Sequence, residues 1–310
     1  MIARITRLLL LLQLLAALFF AVCIHRQWSH LPLSLSLMFG LVSVGLFRLA
    51  ITANSFILSR RYRSPTPRHA CIGLGAATRL FFIEFLSSLY SSSWTMAFRS
   101  FSKRTVADPL GLPVLLVHGY GCNSGYWQAM STALSAARIS HHAVTLEPVF
   151  GEIDAYLPTV HLAVQNLLAE SGQTRIILVG HSMGGLVCRA YLRSFGTERI
   201  ARVITIGTPH TGTALANHGI GKNVQQMAID CSGEQHRSSE WLCELDRSET
   251  SALRSLIISV YSHHDNIVAP QSSACLTGAT NIAVSAIGHV TLAMHQQVQQ
   301  LVIDQVLITQ

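Results

Sequence analysis

Arg175-Ile-Ile-Leu-Val-Gly180-His181-Ser182-Met183-Gly184-Gly185 is the stretch on which the reading of this chain turns. Ile176 to Val179 is a short run of aliphatic, largely β-branched residues, which is strand composition. It ends in a G-x-S-x-G string and passes directly into Leu186-Val-Cys-Arg-Ala-Tyr-Leu192, which reads as helix. A serine on a tight turn between strand and helix sits in strained backbone, so positions 180 and 184 must lack colliding side chains. The same turn lifts the hydroxyl above the sheet edge and aims the helix N-terminus at it. Gly185 lets the helix pack closely. Ser182 is therefore a candidate nucleophile, and an idle serine in a glycine-rich turn is the alternative.

Working outward, short aliphatic runs alternate with helical stretches from Pro113 onward. Strands are expected at Val114–Val117, His142–Leu146, Arg175–Val179, Ala201–Ile206, Leu256–Tyr261 and Ile282–Ser285. Helices are expected near 124–137, 152–170, 184–195 and 290–308. Strands that are apolar throughout, rather than alternating, belong to a parallel sheet covered on both faces. The fold class is α/β, a mostly parallel sheet with helices on both faces. Such sheets place their chemistry beyond the C-terminal ends of their strands.

That rule selects the partners of Ser182. A serine nucleophile needs two donors for the oxyanion it creates. One is the backbone N–H of Met183. The other is assigned to Tyr120, in the loop His118-Gly119-Tyr120-Gly121-Cys122-Asn123 after the strand at 114–117, where Gly119 and Gly121 let amides turn inward. His118 reads as a structural hydrogen-bonding residue of that loop. An orienting acid and a base are expected in the order serine, acid, histidine. Asp265 lies in Ser262-His-His-Asp-Asn-Ile-Val-Ala-Pro270, just past a strand, whereas Asp230, Asp246 and Glu249 lie in a polar insertion. His289, in Ile287-Gly-His-Val290, follows the last strand. His263 and His264 are too close to Asp265 in sequence to bridge it to Ser182, and His295 lies within the final helix.

These segments resemble the motifs of the α/β-hydrolase fold, and within it the bacterial lipase and esterase group. The matching stretches are Pro113-Val-Leu-Leu-Val-His-Gly-Tyr-Gly-Cys-Asn123, Gly180-His-Ser-Met-Gly-Gly185, Ile206-Gly-Thr-Pro-His-Thr-Gly-Thr213, His263-His-Asp-Asn-Ile-Val-Ala-Pro270 and Gly288-His-Val290. The resemblance covers residues 108–308 and implies Ser182, Asp265 and His289 as nucleophile, acid and base, with Tyr120 and Met183 as oxyanion amides. It also implies that Thr208-Pro209-His210 walls the path toward a lid. Secreted members of the group hold calcium through an aspartate soon after the catalytic histidine. Here Val290, Thr291 and Leu292 follow, with no acid before Asp304, so no metal is expected, and no cofactor.

Residues 214–254 interrupt the sheet pattern. They are too many for a plain connection and read as a cap. Met227, Trp241 and Leu242, with Ile229 and Leu245, either line an acyl pocket or pack the cap onto the sheet. No Lys/Arg cluster lies there to hold a phosphate or nucleotide, which favours an apolar acyl ester or lipid as substrate.

The rest of the chain is of another kind. Of 310 residues, 50% are hydrophobic and only 12% charged, about half the charge of an ordinary soluble domain. This excludes a disordered protein and a coiled coil. The net charge of +7 divides into +11 over residues 1–104, where Glu84 is the single acid, and −4 over the remainder. Apolar runs Leu8–Ile24 and Leu31–Phe47 read as an uncleaved two-helix membrane hairpin. Ala21-Val22-Cys23 is a poor cleavage site, and the second run follows closely. Arg4 and Arg7 before the hairpin, and Arg60, Arg61, Arg63 and Arg68 after it, place both ends in the cytoplasm. The arginines then suit anionic lipid headgroups rather than nucleic acid.

The boundaries that follow are 1–69 for a membrane anchor, 70–107 for an amphipathic helix and linker, and 108–310 for the hydrolase-like domain. In the second part Phe82, Phe85, Leu86 and Leu89 share a helical face, and the serines at 91–93 and the segment 102–108 read as linker. Seven scattered cysteines include no CxxC pair; Cys231 and Cys243 lie close enough to pair in an oxidising compartment. The expectation is a serine carboxylic-ester hydrolase anchored in a bacterial inner membrane, its domain in the cytoplasm. An acyltransferase or thioesterase using the same residues is the enzymatic alternative. An inactive membrane scaffold is the alternative of another class.

Overall fold

The computed structural model describes residues 1–230 and 237–309. Its strands are β1 (Lys103–Arg104), β2 (Val114–Val117), β3 (His141–Ala143), β4 (Ile176–His181), β5 (Ile200–Ile206), β6 (Ile229–Asp230), β7 (Arg237–Ser238), β8 (Ile257–Ser262) and β9 (Thr280–Val284). Seven of them form one sheet in the order β1-β3-β2-β4-β5-β8-β9, while β6 and β7 pair separately. Every pairing in the large sheet is parallel except that of β1 with β3. Each strand expected from the sequence is present, Val114–Val117 with the same ends and the others with shifted ones. Strand β1 is new: two exposed basic residues in the stretch read as linker pair by backbone alone, at a sheet edge where charge is tolerated.

Both faces of the central strands are buried, which is why their sequences do not alternate. Leu115, Val117 and Leu178 pack against Leu186 and Val187 of the elbow helix Met183–Phe195 and against Val160 and Val164 of the helix Leu157–Ser171. Their neighbours Val114, Leu116, Ile177 and Val179 point the other way. These meet Trp127, Met130 and Leu134 around the helix Gln128–Ala136, with Val298 and Val302 of the final helix Gln296–Ile308.

Ahead of the sheet lie α1 (Ile2–Gln27), α2 (Leu33–Arg61) and α3 (Leu74–Tyr90). α1 and α2 are joined by a short turn and pack along one another. At Gly40 any side chain would run into the Ala17 carbonyl, so the small residue sets the close approach. Both helices are long and apolar enough to cross a membrane, with mean hydropathy of 2.5 and 1.9. α3 does not give way to a linker. It runs on through a wide helical turn, Ser91–Thr95, into Met96–Phe98. Ser91 and Thr95 are buried there. The backbone of this segment is gripped from both sides: Asn123 Nδ2 donates to the Met96 carbonyl at 2.8 Å and Arg7 Nε to that of Ala97 at 2.8 Å. Arg48 donates to the Ser93 hydroxyl at 2.6 Å and also to that of Ser92. A serine run looks like linker in sequence; here its hydroxyls are anchor points.

The insertion at 214–254 packs against the side of the domain. Leu242 and Leu245 of the helix Glu240–Ser248 are buried against the elbow helix. Beside them the fully buried Arg189 donates Nε and Nη2 to Glu249 at 2.7 and 2.8 Å, and Arg254 Nε donates to the same carboxylate at 3.0 Å. Cys243 is a free thiol, and the pairing with Cys231 falls outside the described residues. Removing one partner of a buried ion pair leaves an uncompensated charge, costing about 3–5 kcal/mol. Glu249→Ala should therefore lower the unfolding midpoint of the full chain in detergent sharply. Arg189→Met combined with Glu249→Leu should lose much less.

Candidate active site

Ser182 closes β4 at φ 55° and ψ −127°, the left-handed conformation that the G-x-S-x-G turn demands. The strain is held by the surroundings. The Ser182 N–H donates to the Ile206 carbonyl at 2.9 Å, and Thr208 Oγ1 donates to the Ser182 carbonyl at 2.9 Å. A side chain at Gly184 would collide with the Val117 carbonyl, and one at Gly185 with the Thr208 hydroxyl. At Gly119 an added Cβ would lie 2.8 Å from the Ser182 Cβ. The three glycines are thus required by close approach.

Asp265 and His289 meet as neighbours of this turn. Asp265 Oδ2 accepts from His289 Nδ1 at 2.8 Å, and Oδ1 accepts the amides of Ile267 and Val268, each at 2.8 Å. With Nδ1–H donated to the carboxylate, Nε2 is left as the free lone pair. Burial pulls the His289 imidazole down, but the charge and hydrogen bond of Asp265, with the charge of Glu84, outweigh it and raise it above the ordinary histidine value. Ser182 and His289 line one cavity of about 280 Å³, together with Gly119, Tyr120, Cys122, Tyr126 and His181. Met183 opens the elbow helix, so its N–H has no acceptor within that helix. Its side chain lies in the core, which leaves only its backbone to face the site.

His118 is held within its loop. Nδ1 donates to the Gly119 carbonyl at 2.8 Å and Nε2 accepts the Leu146 amide at 3.0 Å, and burial pushes the ring down to about 4. It is a neutral brace. Asp246 and Glu249 lie instead around Arg189 and Arg254.

The loop carrying His289 is tied from several directions, by residues the sequence reading did not single out. Asn266 Oδ1 accepts the His289 N–H at 3.0 Å, while its Nδ2 donates to Ser55 of α2 at 2.8 Å. His181 Nε2 donates to the His289 carbonyl at 3.0 Å, and the Tyr126 hydroxyl to that of Val290 at 2.9 Å. Burial drives the His181 ring well below the ordinary value, so it too is neutral. Glu84 of α3 accepts the amides of Val290 and Thr291 at 2.8 and 3.0 Å and the Thr291 hydroxyl at 2.7 Å. Burial raises the Glu84 carboxyl, and these three donors oppose it by favouring the ionised form. A lone acid in a +11 segment was the available sequence signal. Where the resemblance implies a calcium-binding acid after the histidine, this chain has two amides and a hydroxyl already held by Glu84. Among the described residues no cluster of three His, Cys, Asp or Glu side chains suits a metal ion.

What covers the cavity is also a correction. Among the described residues none of the insertion lines it; Ser88, Ser91, Ser92 and Met96 do. Met227 and Leu242 are buried in the core, and Trp241 packs beside them with Nε1 donating to Asp154 at 2.8 Å. These three therefore pack the insertion onto the domain, as one of their two sequence readings had it. The reason is amphipathicity: an apolar stripe on a short helix does not reveal whether it faces a ligand or a sheet.

Residues 108–307 match the family described as PGAP1-like alpha/beta domain. Two triacylglycerol lipases, from Pseudarthrobacter phenanthrenivorans and Burkholderia plantarii, are each 27% identical over 201 residues, 57% of this chain. The chain spans only 61% and 54% of their respective lengths. Among solved structures, the mature Bacillus licheniformis lipase BlEst2 superposes with a TM-score of 0.57 at 18% identity, covering 67% of this chain and 97% of that one. The sheet order, the strained serine turn and these likenesses agree on an α/β-hydrolase fold, and the chain belongs to the PGAP1-like alpha/beta domain family.

Proposed function

We propose that this protein is a membrane-anchored serine hydrolase that cleaves carboxylic esters of acyl lipids or similar apolar esters. The observation that carries the reading is the 2.8 Å bond from His289 Nδ1 to Asp265, on a histidine that shares a cavity with the strained Ser182. His289 Nε2 takes the Ser182 proton as Oγ attacks the ester carbonyl, and Asp265 orients the ring and stabilises its cation. The amides of Met183 and Tyr120 receive the oxyanion. His289 passes its proton to the departing alkoxide, leaving an acyl-serine. Water, deprotonated by the same nitrogen, attacks that ester and releases the acid and a free hydroxyl.

Anchoring draws support from α1 and α2. The rest of the chain contacts the hairpin away from its turn: Arg7 meets Ala97 of the roof, Ser55 meets Asn266, and just past α2 Ser64 Oγ lies 2.9 Å from that of Ser272. The basic residues Arg4, Arg7, Arg60, Arg61 and Arg63 lie at this same end of the hairpin. By the positive-inside rule it faces the cytoplasm, in a bacterial inner membrane.

Ser182→Ala should lower kcat on p-nitrophenyl acyl esters by at least about 10³-fold and abolish covalent labelling by a fluorophosphonate. Full retained activity would disprove the assignment. Only neutral His289 can act as base, and its pKa is raised, so kcat/KM should fall as pH drops, with a midpoint above about 6.5. Glu84→Gln removes an acidic group that contributes to raising this histidine, and loosens its loop. The acid limb should move to lower pH and kcat should fall, which a purely structural loss would not reproduce. Reporter fusions after Pro65 and at the C-terminus should both score cytoplasmic; a periplasmic result refutes the orientation.

A further inference from the structure

A second cavity, of about 360 Å³, opens between α1, α2 and α3. Its apolar walls include Leu9, Phe47, Ile51, Phe85 and Leu89. It adjoins the cavity of Ser182: Ser88, Ser92, Met96 and Tyr120 line both. The shared side-chain polar groups are the hydroxyls of Ser88 and Ser92 in the roof and of Tyr120, which donates to the Ile220 carbonyl at 2.8 Å. Arg48, the charged side chain in the groove, is engaged with Ser92 and Ser93.

We propose that this groove is an acyl-chain site, which takes one chain of an ester lipid still seated in the bilayer and presents its carbonyl to Ser182. The inference rests on the hydrolase reading above and adds the class and route of the substrate. Three observations support this occupant. The groove is walled by the two helices long and apolar enough to cross a membrane, and its own lining side chains Leu9, Phe47 and Ile51 are exposed. It adjoins the catalytic cavity across Ser88, Ser92, Met96 and Tyr120, and the 280 Å³ of that cavity is small for a site that must also take a long chain. It is walled chiefly by residues ahead of position 108, where the family match begins, so it is an addition to the family's domain. A chain lying there extends from the ester past Met96 and Ser92 toward Phe85 and Ile51. The roof then guides the chain as well as covering the site.

The test compares p-nitrophenyl butyrate with p-nitrophenyl palmitate on full-length protein in vesicles. Leu9→Trp and Ile51→Trp narrow the groove without touching the catalytic residues. They should lower the palmitate-to-butyrate ratio of kcat/KM by tenfold or more. Leu8→Trp, on the outer face of α1 and absent from the groove, should leave the ratio within twofold. An unchanged ratio in the groove variants, an equal fall in the Leu8 variant, or a wild type that takes butyrate but not palmitate each overturns the groove. A wild type inactive on both esters overturns the hydrolase reading instead. As a check that does not depend on turnover, Ile51→Cys can be reacted with a maleimide after phosphonylation of Ser182. A hexadecyl phosphonate should slow that thiol at least fivefold and an ethyl phosphonate should not; equal rates reject the proposal.

Discussion

A carboxyl group on α3, that of Glu84, faces the backbone amides of Val290 and Thr291, and much of the protein's organisation follows from that contact. Amide donors next to a buried carboxylate resist being moved, because each would otherwise be left unsatisfied in a water-poor interior. The amides belong to the two residues after His289, and the carboxylate to α3, which continues into the roof over Ser182. One interaction thus sets the height of the imidazole and the position of the roof together. Asn266 repeats the connection from α2, joining Ser55 to the His289 backbone.

The consequence is that the N-terminal third is part of the site. Arg7 and Arg48, one from each long helix, hold the 91–98 segment by its carbonyls and hydroxyls, and Asn123 holds it from the sheet side. The same segment carries Ser92 and Met96, which stand in the cavity wall. The insertion after β5, where a lid is expected in a fold of this kind, is committed elsewhere through the buried Arg189–Glu249 pair.

The net charge of +7 also acquires a location. The excess of arginine belongs to the segment that frames the long helices, and part of it is consumed in holding the roof. Glu84, the single acid of residues 1–104, is spent on the histidine loop and not on neutralising its neighbours.

The sequence by itself determined what local geometry dictates. Gly180, Gly184 and Gly185 around Ser182 read as a strained elbow because a side chain there has nowhere to go, and the structure shows the collisions. The aliphatic runs read as parallel strands because both faces are covered, and they form the sheet. Strand-end rules selected Asp265 and His289, whose ring and carboxylate lie in contact. What required the tertiary structure was every relation between distant segments. The serines at 91–93 read as linker because serine hydroxyls carry no periodic signal, and Arg48, which holds two of them, is remote in sequence. Met227, Trp241 and Leu242 read equally as pocket or packing, since hydrophobic burial is non-directional and the pattern does not name the surface being met. The tie from Glu84 to Val290 spans 206 residues, and a hydrogen bond of that reach leaves no mark on either end beyond an acid where no other acid stands.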